Sequence, residues 1–510
     1  MTHYVTTPIY YVNASPHLGH AYTTIAADVI TRYQRLMGAD AFFLTGTDEH
    51  GTKIAQSAEE AGIEVQQFCD RNSQRFRDLL PMLDAQADFF IRTTDNEHKA
   101  FVQGVLSRLH DQGDIYESTY SGLYCTACEA YVTEDELVEG NLCAVHKRPV
   151  TTLNETNWFF RLSAYEDRLR QLYASQPDFV VPKNRFNEAL SFINSGLQDI
   201  SITRSSITWG VDVPWDAGQV FYVWIDALFN YASALTYARP GVDLTDTYWP
   251  PALQLLAKDI LKFHAVIWPA LLMAAGFDLP RKLLIHGYLL MSGDKMSKTM
   301  GNVFDPFPVI EQHGADPVRF YVLREVQFGQ DGSVSMEGYE SRYNTELAND
   351  LGNLVSRSAA MASRYLAGGE LPNAPTGTPI AELTQAMVSQ WKLHMDSYEL
   401  TAALETVWSL VRALNRHVEE RAPWKLAKDE SASTLLADTL AELAEGVTAI
   451  AWTLSPVMPQ TAARILAAFG IDPDVALSPG ADWTWGWTAG RTVTKPDALF
   501  PKLETAAASS

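Results

Sequence analysis

The chain is 510 residues long, which at roughly 150 residues per domain implies three to four domains and excludes a single small fold. Hydrophobic residues make up 47% and charged residues 20%, close to globular averages, so a wholly disordered or fibrous chain is excluded as well. Lys plus Arg number 39 against 61 Asp plus Glu, a net charge of −22 that leaves no broad nucleic-acid-coating surface, so any contact with nucleic acid is local.

The N-terminal MTHYVTTPIYY lacks the basic segment and apolar run of a secretory signal, and the expected location is cytoplasmic. Residues 3–12, HYVTTPIYYV, are β-branched and aromatic and read as a strand. After the loop Asn13-Ala14-Ser15-Pro16, Ile25, Val29, Tyr33 and Leu36 recur at helical spacing up to a stop at Gly38. Ala41-Phe42-Phe43-Leu44 supplies the next apolar strand, which predicts a βαβ unit and a parallel sheet. Residues 116–215 break this alternation with a turn-rich Cys/His segment and aromatic runs such as Trp158-Phe159-Phe160, and read as an inserted subdomain. Helix and strand signals resume over 216–290, up to Leu283-Leu284-Ile285, which allows one nucleotide-binding sheet to be split by the insertion. The uncharged stretch Phe263–Phe277 contains His264 and Pro269 and falls short of the ~18 to 20 residues of a membrane span. It predicts a buried helix and no membrane partner.

Beyond residue 343 strand signals disappear. The segment AGGELPNAPTGTP, 367–379, reads as a linker or a long exposed loop. Leu400, Leu404, Val407, Val411, Leu414 and Val418 form one apolar stripe suited to a helical bundle. The last residues, ETAAASS, carry no pattern, and 501–510 is expected to be a flexible tail. The fold class is therefore α/β: a Rossmann-like doubly wound parallel sheet split by a zinc-binding insertion, followed by an all-α helical bundle domain.

Three motifs carry chemistry. Pro16-His17-Leu18-Gly19-His20 lies where the first strand passes to its helix. Free N–H groups at a helix N-terminus, a glycine that permits close approach and two imidazole donors suit a nucleotide phosphate, although an H-x-x-H by itself can simply decorate a loop. Lys295-Met296-Ser297-Lys298-Thr299, flanked by Gly293 and Gly301, can move two lysines onto a triphosphate; alone it is equally a solvated basic loop. Cys125-x2-Cys128-x14-Cys143-x2-His146 has the two-pair spacing of a tetrahedral Cys3His zinc site, and four protein ligands leave no open position for catalytic water. One structural zinc is expected, with Cys69 as an ordinary buried thiol.

The first two motifs, in this order and about 280 residues apart, resemble the HIGH and KMSKS signatures of class I aminoacyl-tRNA synthetases, with Leu18 in place of Ile and Thr299 in place of the final Ser. TPIYYVNASPHLGH, TGTDEHGTKI, FYVWIDAL, AKDILKFHAVIWPALL, HGYLLMSGDKMSKT and ERAPWKLAK narrow the resemblance to the methionyl-tRNA synthetases, of the one-zinc type, across nearly the whole chain. The resemblance implies ATP-dependent attachment of L-methionine to tRNA through methionyl-adenylate. It implies catalytic roles for His17, His20, Lys295 and Lys298, ATP binding by these four with Gly19 and Asp259, and Mg²⁺ with ATP. The implied methionine pocket comprises Pro8, Ile9, Tyr11, Asp48, Trp224, Leu228, Tyr231, Ile260 and His264. Aromatic and apolar walls accept an unbranched thioether, and Asp48 pairs with an ammonium group.

Asn353 and Arg357, four apart on one helix face, with Pro423 and Trp424, match the family motifs that read a CAU anticodon; on sequence alone Trp424 serves equally well as packing. The implied domains are residues 1–115 and 216–290 for the two halves of the catalytic sheet, 116–215 for the insertion with its zinc knuckle, 291–342 for the KMSKS loop and stem-contact region, and 343–500 for anticodon binding. An insertion of about 100 residues is too small for the editing domain of the branched-chain synthetases, and a small-molecule nucleotidyltransferase would need neither the insertion nor the helical domain. Some relatives dimerise through an added C-terminal tRNA-binding domain; this chain ends soon after its bundle, so a monomer is expected.

Overall fold

The computed structural model of the chain describes residues 1–125, 130–132, 137–138, 140–144, 147–291 and 305–504. Thr2–Thr6 lies at the centre of a parallel sheet, between Asp40–Asp48 on one side and Ala252–Ala257 on the other. Phe89–Arg92 extends the first side, and Lys282–His286 followed by Val180–Val181 extends the second. Both faces are covered, with Val5 in one large apolar cluster and Tyr4 in another, as an all-parallel sheet requires.

The apolar run expected as a strand over 3–12 is split in two. Thr2–Thr6 pairs in the sheet, Thr7 N–H makes a last bond to Leu44 O at 3.1 Å, Pro8-Ile9 departs, and Tyr10–Tyr11 rejoins beside Thr47–Asp48. Pro8 has no N–H to give to a ladder, so the break falls there. The helix Leu18–Leu36 buries Ile25, Val29, Tyr33 and Leu36 as their spacing predicts, and Gly38 follows it at φ +81°. The chain crosses through this helix to Asp40–Asp48 but reaches the opposite side of Thr2–Thr6 only at Ala252. The strand order therefore reverses at Thr2–Thr6, and a crevice opens at the C-terminal ends of the strands there.

Within 116–215, Ile115–Cys125 and Thr151–Phe160 form a long antiparallel ladder, flanked by Ala130–Val132 and Ile200–Ser201. Val180–Val181, from the same stretch of sequence, pairs instead with Leu283–Leu284 in the central sheet. Two residues are too few to show a period, so only the tertiary pairing defines them as a strand. The stretch Phe263–Phe277 is a π-helical turn, Phe263–Ile267, running into the helix Trp268–Ala275, which Gly276 ends at φ +73°. Among the described residues no helix is long and apolar enough to cross a membrane.

The C-terminal part is helical. Leu400–Arg421 buries all six residues of its predicted stripe and packs between Pro379–Asp396 and Ser433–Leu454. Gly446 is where two of these helices touch: a Cβ there would stand 2.6 Å from Leu414 Cδ1. One expectation fails here. Residues 367–379 are not a freely exposed loop, because Leu371 is buried and the 369–371 backbone pairs with 490–493 through bonds of 2.8–3.0 Å. Proline and glycine content marks the lack of a regular element, and those backbone groups then find partners across the fold. Of the tail expected over 501–510, Leu503 exchanges two hydrogen bonds with the Asn344 side chain, and 505–510 lie outside the described residues.

Sheet and bundle meet at Arg319, which is fully buried on the helix Ala315–Glu325. Its guanidinium donates to Asp28 Oδ2 at 2.6 Å, to Leu83 O at 3.0 Å, and to Pro456 O and Val457 O at 2.9 and 2.7 Å. A planar fork of five donors can reach all of these at once, where a lysine could not.

Candidate active site

The C-terminal ends of four parallel strands converge on a cavity of about 860 Å³. Pro8 and Ile9 follow the central strand, Asp48 ends one neighbour, Asp259 and Ile260 follow the other, and His286 ends the strand beyond it. The N-terminus of Leu18–Leu36 and the helices Val223–Leu228 and Asn230–Tyr237 close the remaining walls.

At one end stands a helix cap made of imidazoles. His17 is the N-cap: its Nδ1 accepts from the Gly19 N–H at 3.1 Å, while its own N–H donates to His20 Nδ1, also at 3.1 Å. Both Nδ1 atoms are thus acceptors, and each ring carries its proton on Nε2. The rings stack at 3.7 Å. Burial, then the neighbouring His17, pushes His20 down to about 3, and burial lowers His17 as well. Two neutral rings with Nε2–H donors, above free helix N–H groups, suit phosphate oxygens. Asp259 stands across from them; burial raises its carboxyl above the ordinary range, partly offset by hydrogen bonds from its own backbone and from the Tyr288 hydroxyl.

The other end is aromatic and apolar. Trp224 stacks on Phe263, with centroids 4.1 Å apart and planes 7° from parallel. His264 Nδ1 lies 3.1 Å from the Ile260 carbonyl, which can only accept, so Nε2 accepts from the Tyr231 hydroxyl at 2.9 Å. Burial pushes His264 down to about 4, so at neutral pH it is an uncharged wall. Asp48, only 9% exposed, supplies a carboxylate beside these rings. Apolar walls with one carboxylate accept an unbranched apolar side chain that carries an ammonium group.

Every residue expected in the methionine pocket, Leu228 and Tyr11 among them, lines this one cavity, as do His17, Gly19, His20 and Asp259. Lys295 and Lys298 lie outside the described residues; the strand from which their segment leaves, Leu289–Met291, lines the cavity through Leu289 and Leu290.

Residues 3–148 and 135–359 match the family model for class I tRNA synthetases (M), and 367–510 match that for the anticodon binding domain of methionyl tRNA ligase. The chain belongs to the methionyl-tRNA synthetase family. A methionine–tRNA ligase of Streptomyces coelicolor is 44% identical, with 98% of this chain and 97% of that protein covered. One from Caldanaerobacter subterraneus is 43% identical over 99% of this chain and 79% of its own length. The structure of Mycobacterium tuberculosis methionyl-tRNA synthetase in complex with methionyl-adenylate superposes with a TM-score of 0.93 at 41% identity, covering 98% of this chain and 99% of that one.

Against this family background, Lys53, His286 and Tyr288 are among the cavity-lining residues not anticipated from sequence. Each stood in a motif already singled out, TGTDEHGTKI or HGYLLMSGDKMSKT, next to a strand C-terminus. Gly287 is required there: a Cβ would come within 2.3 Å of the Gln330 backbone. In the bundle, Asn353 and Arg357 begin the helix Asn353–Tyr365, and Pro423 opens the short helix Pro423–Leu426 behind Ala422 at φ +44°. Arg357 holds its guanidinium 5.6 Å from the Trp424 ring centre and pairs with Glu419 at 2.7 Å, so Arg357 and Trp424 share one half-exposed surface. In the insertion, Cys125 and Cys143 are both buried and share a small apolar cluster with Val150. The Cys143 carbonyl accepts from Lys147 N–H at 2.7 Å, with Lys147 at φ +49°. Cys128 and His146 lie outside the described residues, and among the described residues no three metal-ligating side chains converge.

Proposed function

We propose that the chain attaches L-methionine to tRNA at the expense of ATP, through methionyl-adenylate. The observation that carries this is a single cavity joining an imidazole-capped helix N-terminus to an aromatic pocket with one carboxylate. In the first step a methionine carboxylate oxygen attacks the α-phosphorus of ATP in line, and pyrophosphate leaves. No protein group reacts covalently, so orientation and charge stabilisation dominate. His17 and His20 donate their Nε2–H groups to phosphate oxygens, Asp259 helps hold the nucleotide, and Lys295 and Lys298 stabilise the charge that develops at phosphorus. Mg²⁺ accompanies the ATP phosphates. Asp48 takes the ammonium group, and Trp224, Leu228, Tyr231, Ile260 and His264, with Pro8, Ile9 and Tyr11, enclose the thioether. In the second step a ribose hydroxyl at the tRNA 3′ end attacks the activated carbonyl, AMP leaves, and the ester forms.

Asn353, Arg357 and Trp424, with the buried Pro423 opening the turn that carries Trp424, read the CAU anticodon, in support of which Trp424 offers a ring face and Arg357 a cation beside it. Cys125, Cys128, Cys143 and His146 would hold one structural zinc; two cysteine sulfurs buried in one cluster suit that metal. A cytoplasmic monomer with the domain limits given above completes the reading. ATP–pyrophosphate exchange assayed with each amino acid in turn is the test. Exchange that depends on methionine alone is expected, followed by charging of tRNA with a CAU anticodon; exchange stimulated best by another amino acid would reject the reading.

A further inference from the structure

Behind the aromatic wall of the cavity lies a charged group that plays no part in the chemistry above. Asp226 is 0% exposed, on the helix Val223–Leu228 that carries Trp224 and Leu228 into the cavity. His50 Nδ1–H donates to Asp226 Oδ2 at 2.6 Å, and His98 Nε2–H donates to Asp226 Oδ1 at 2.8 Å. His98 Nδ1 in turn lies 2.7 Å from Ser233 Oγ, on the helix that carries Asn230 and Tyr231 to the cavity. Burial alone would raise the Asp226 carboxyl, but the two imidazoles hold it down, to about 2, so it is ionised and both of its oxygens accept.

These bonds tie four separate segments to one another. His50 stands two residues after Asp48, whose segment is fixed from its other side by Glu49: that side chain is fully buried and takes a bidentate grip from Arg92 at 2.7 and 2.8 Å. His98 belongs to Asn96–Asp111, which presents no residue to the cavity and so serves as a fixed support. A buried carboxylate with two donors in good geometry is stiff, because any displacement leaves an uncompensated charge in a low-dielectric interior. The carboxylate end of the pocket and its aromatic wall therefore share one anchor, whereas the imidazole cap at His17 and His20 is built by its own backbone and has no bond to it.

We propose that Asp226, clamped by His50 and His98, is a positioning residue that fixes the distance between Asp48 and the Trp224 wall, and so sets affinity for methionine and not for ATP. The proposal rests on the pocket reading above. In ATP–pyrophosphate exchange, Asp226→Asn should raise the methionine KM about tenfold or more, as expected of a misplacement near 1 Å, with the ATP KM within about twofold of wild type. Should removal of the charge prevent folding, the pair His98→Leu and His98→Gln decides. The glutamine amide takes the place of Nε2 and should restore the wild-type methionine KM, while leucine should raise it. Equal rises in both substrates, or a wild-type methionine KM in Asp226→Asn and in His98→Leu, would overturn the clamp. Trp224→Ala in the same assay separates the two levels. A raised methionine KM in Trp224→Ala alone rejects only the role of Asp226, and an unchanged one rejects the pocket assignment beneath it.

Discussion

At His17 and His20 a cap sets a protonation state. Each ring gives its Nδ1 lone pair to a backbone N–H, so each presents Nε2–H outward, and the stacked rings at 3.7 Å disfavour a second positive charge. The motif was legible in sequence; the choice of donor atom was not, because it follows from which backbone amide each ring meets. Trp424 shows the same division. Sequence allowed either stacking or packing, and the ring is in fact half-buried against the bundle with Arg357 beside it. Trp424→Ala removes a surface worth roughly 1–3 kcal/mol per stacked base, about a five- to 150-fold loss in charging of CAU-bearing tRNA. Methionine-dependent pyrophosphate exchange, measured on the same preparation, should stay at the wild-type rate. Parallel losses in both reactions would mean that the ring serves packing alone.

Among the elements, the insertion is where the proposed zinc is put to the test. Cys125 closes the strand Ile115–Cys125 and Cys143 sits in the short pair Leu137–Val138 with Leu142–Cys143. Two-residue strands have no stability of their own in water, and a zinc held as proposed would supply a crosslink for them. Metal analysis should find about one zinc per chain, lost in Cys143→Ala and on treatment with a strong chelator, with Cys69→Ala keeping its zinc. A wild-type protein without stoichiometric zinc would reject the assignment. The spacing of the four ligands was plain in sequence, as was the 400–421 stripe, since both follow from local periodicity. Val180–Val181 and the 369–371 pairing with 490–493 were not, because nothing in two or three residues tells which distant backbone will complete their hydrogen bonds.

Over the whole molecule, Arg319 joins the sheet to the bundle. Arg319→Met would keep most of the volume but leave the Pro456 and Val457 carbonyls without their donors, and Asp28 with only Arg32 at 2.7 Å and the Gln86 N–H at 2.9 Å. A loss on the order of 3–5 kcal/mol is expected, read by urea unfolding; a loss below about 1 kcal/mol would show that the joint is dispensable. The cavity also leaves a mark on stability against pH. Burial holds His264 and His286 at about 4, against 6.5 for a free imidazole. Below pH 6.5 the unfolded chain takes up protons that the folded chain resists, so stability falls as pH drops from about 6.5 through about 4, by up to about 1.4 kcal/mol per pH unit for each ring. His286→Gln should flatten this decline in unfolding experiments between pH 7 and 5; an unchanged slope would exclude His286 as its source.

By itself the sequence determined the βαβ start, the split sheet, the helical C-terminal third, the phosphate and zinc motifs and the family, because each is written in residues close together or in long matching segments. Only the tertiary structure decided that Pro8, Asp48, Trp224, Asp259 and His264 face one cavity. It alone revealed that Asp226 stands behind the aromatic wall between His50 and His98, and that Arg319 spans two domains. Periodicity reports which face of an element is apolar, but burial of a charge is stable only when its partners arrive from elsewhere in the chain. Those partners, 128 to 291 residues away for Asp226–His98, Asp226–His50 and Arg319–Asp28, are brought together by the packing of the sheet, its helices and the bundle.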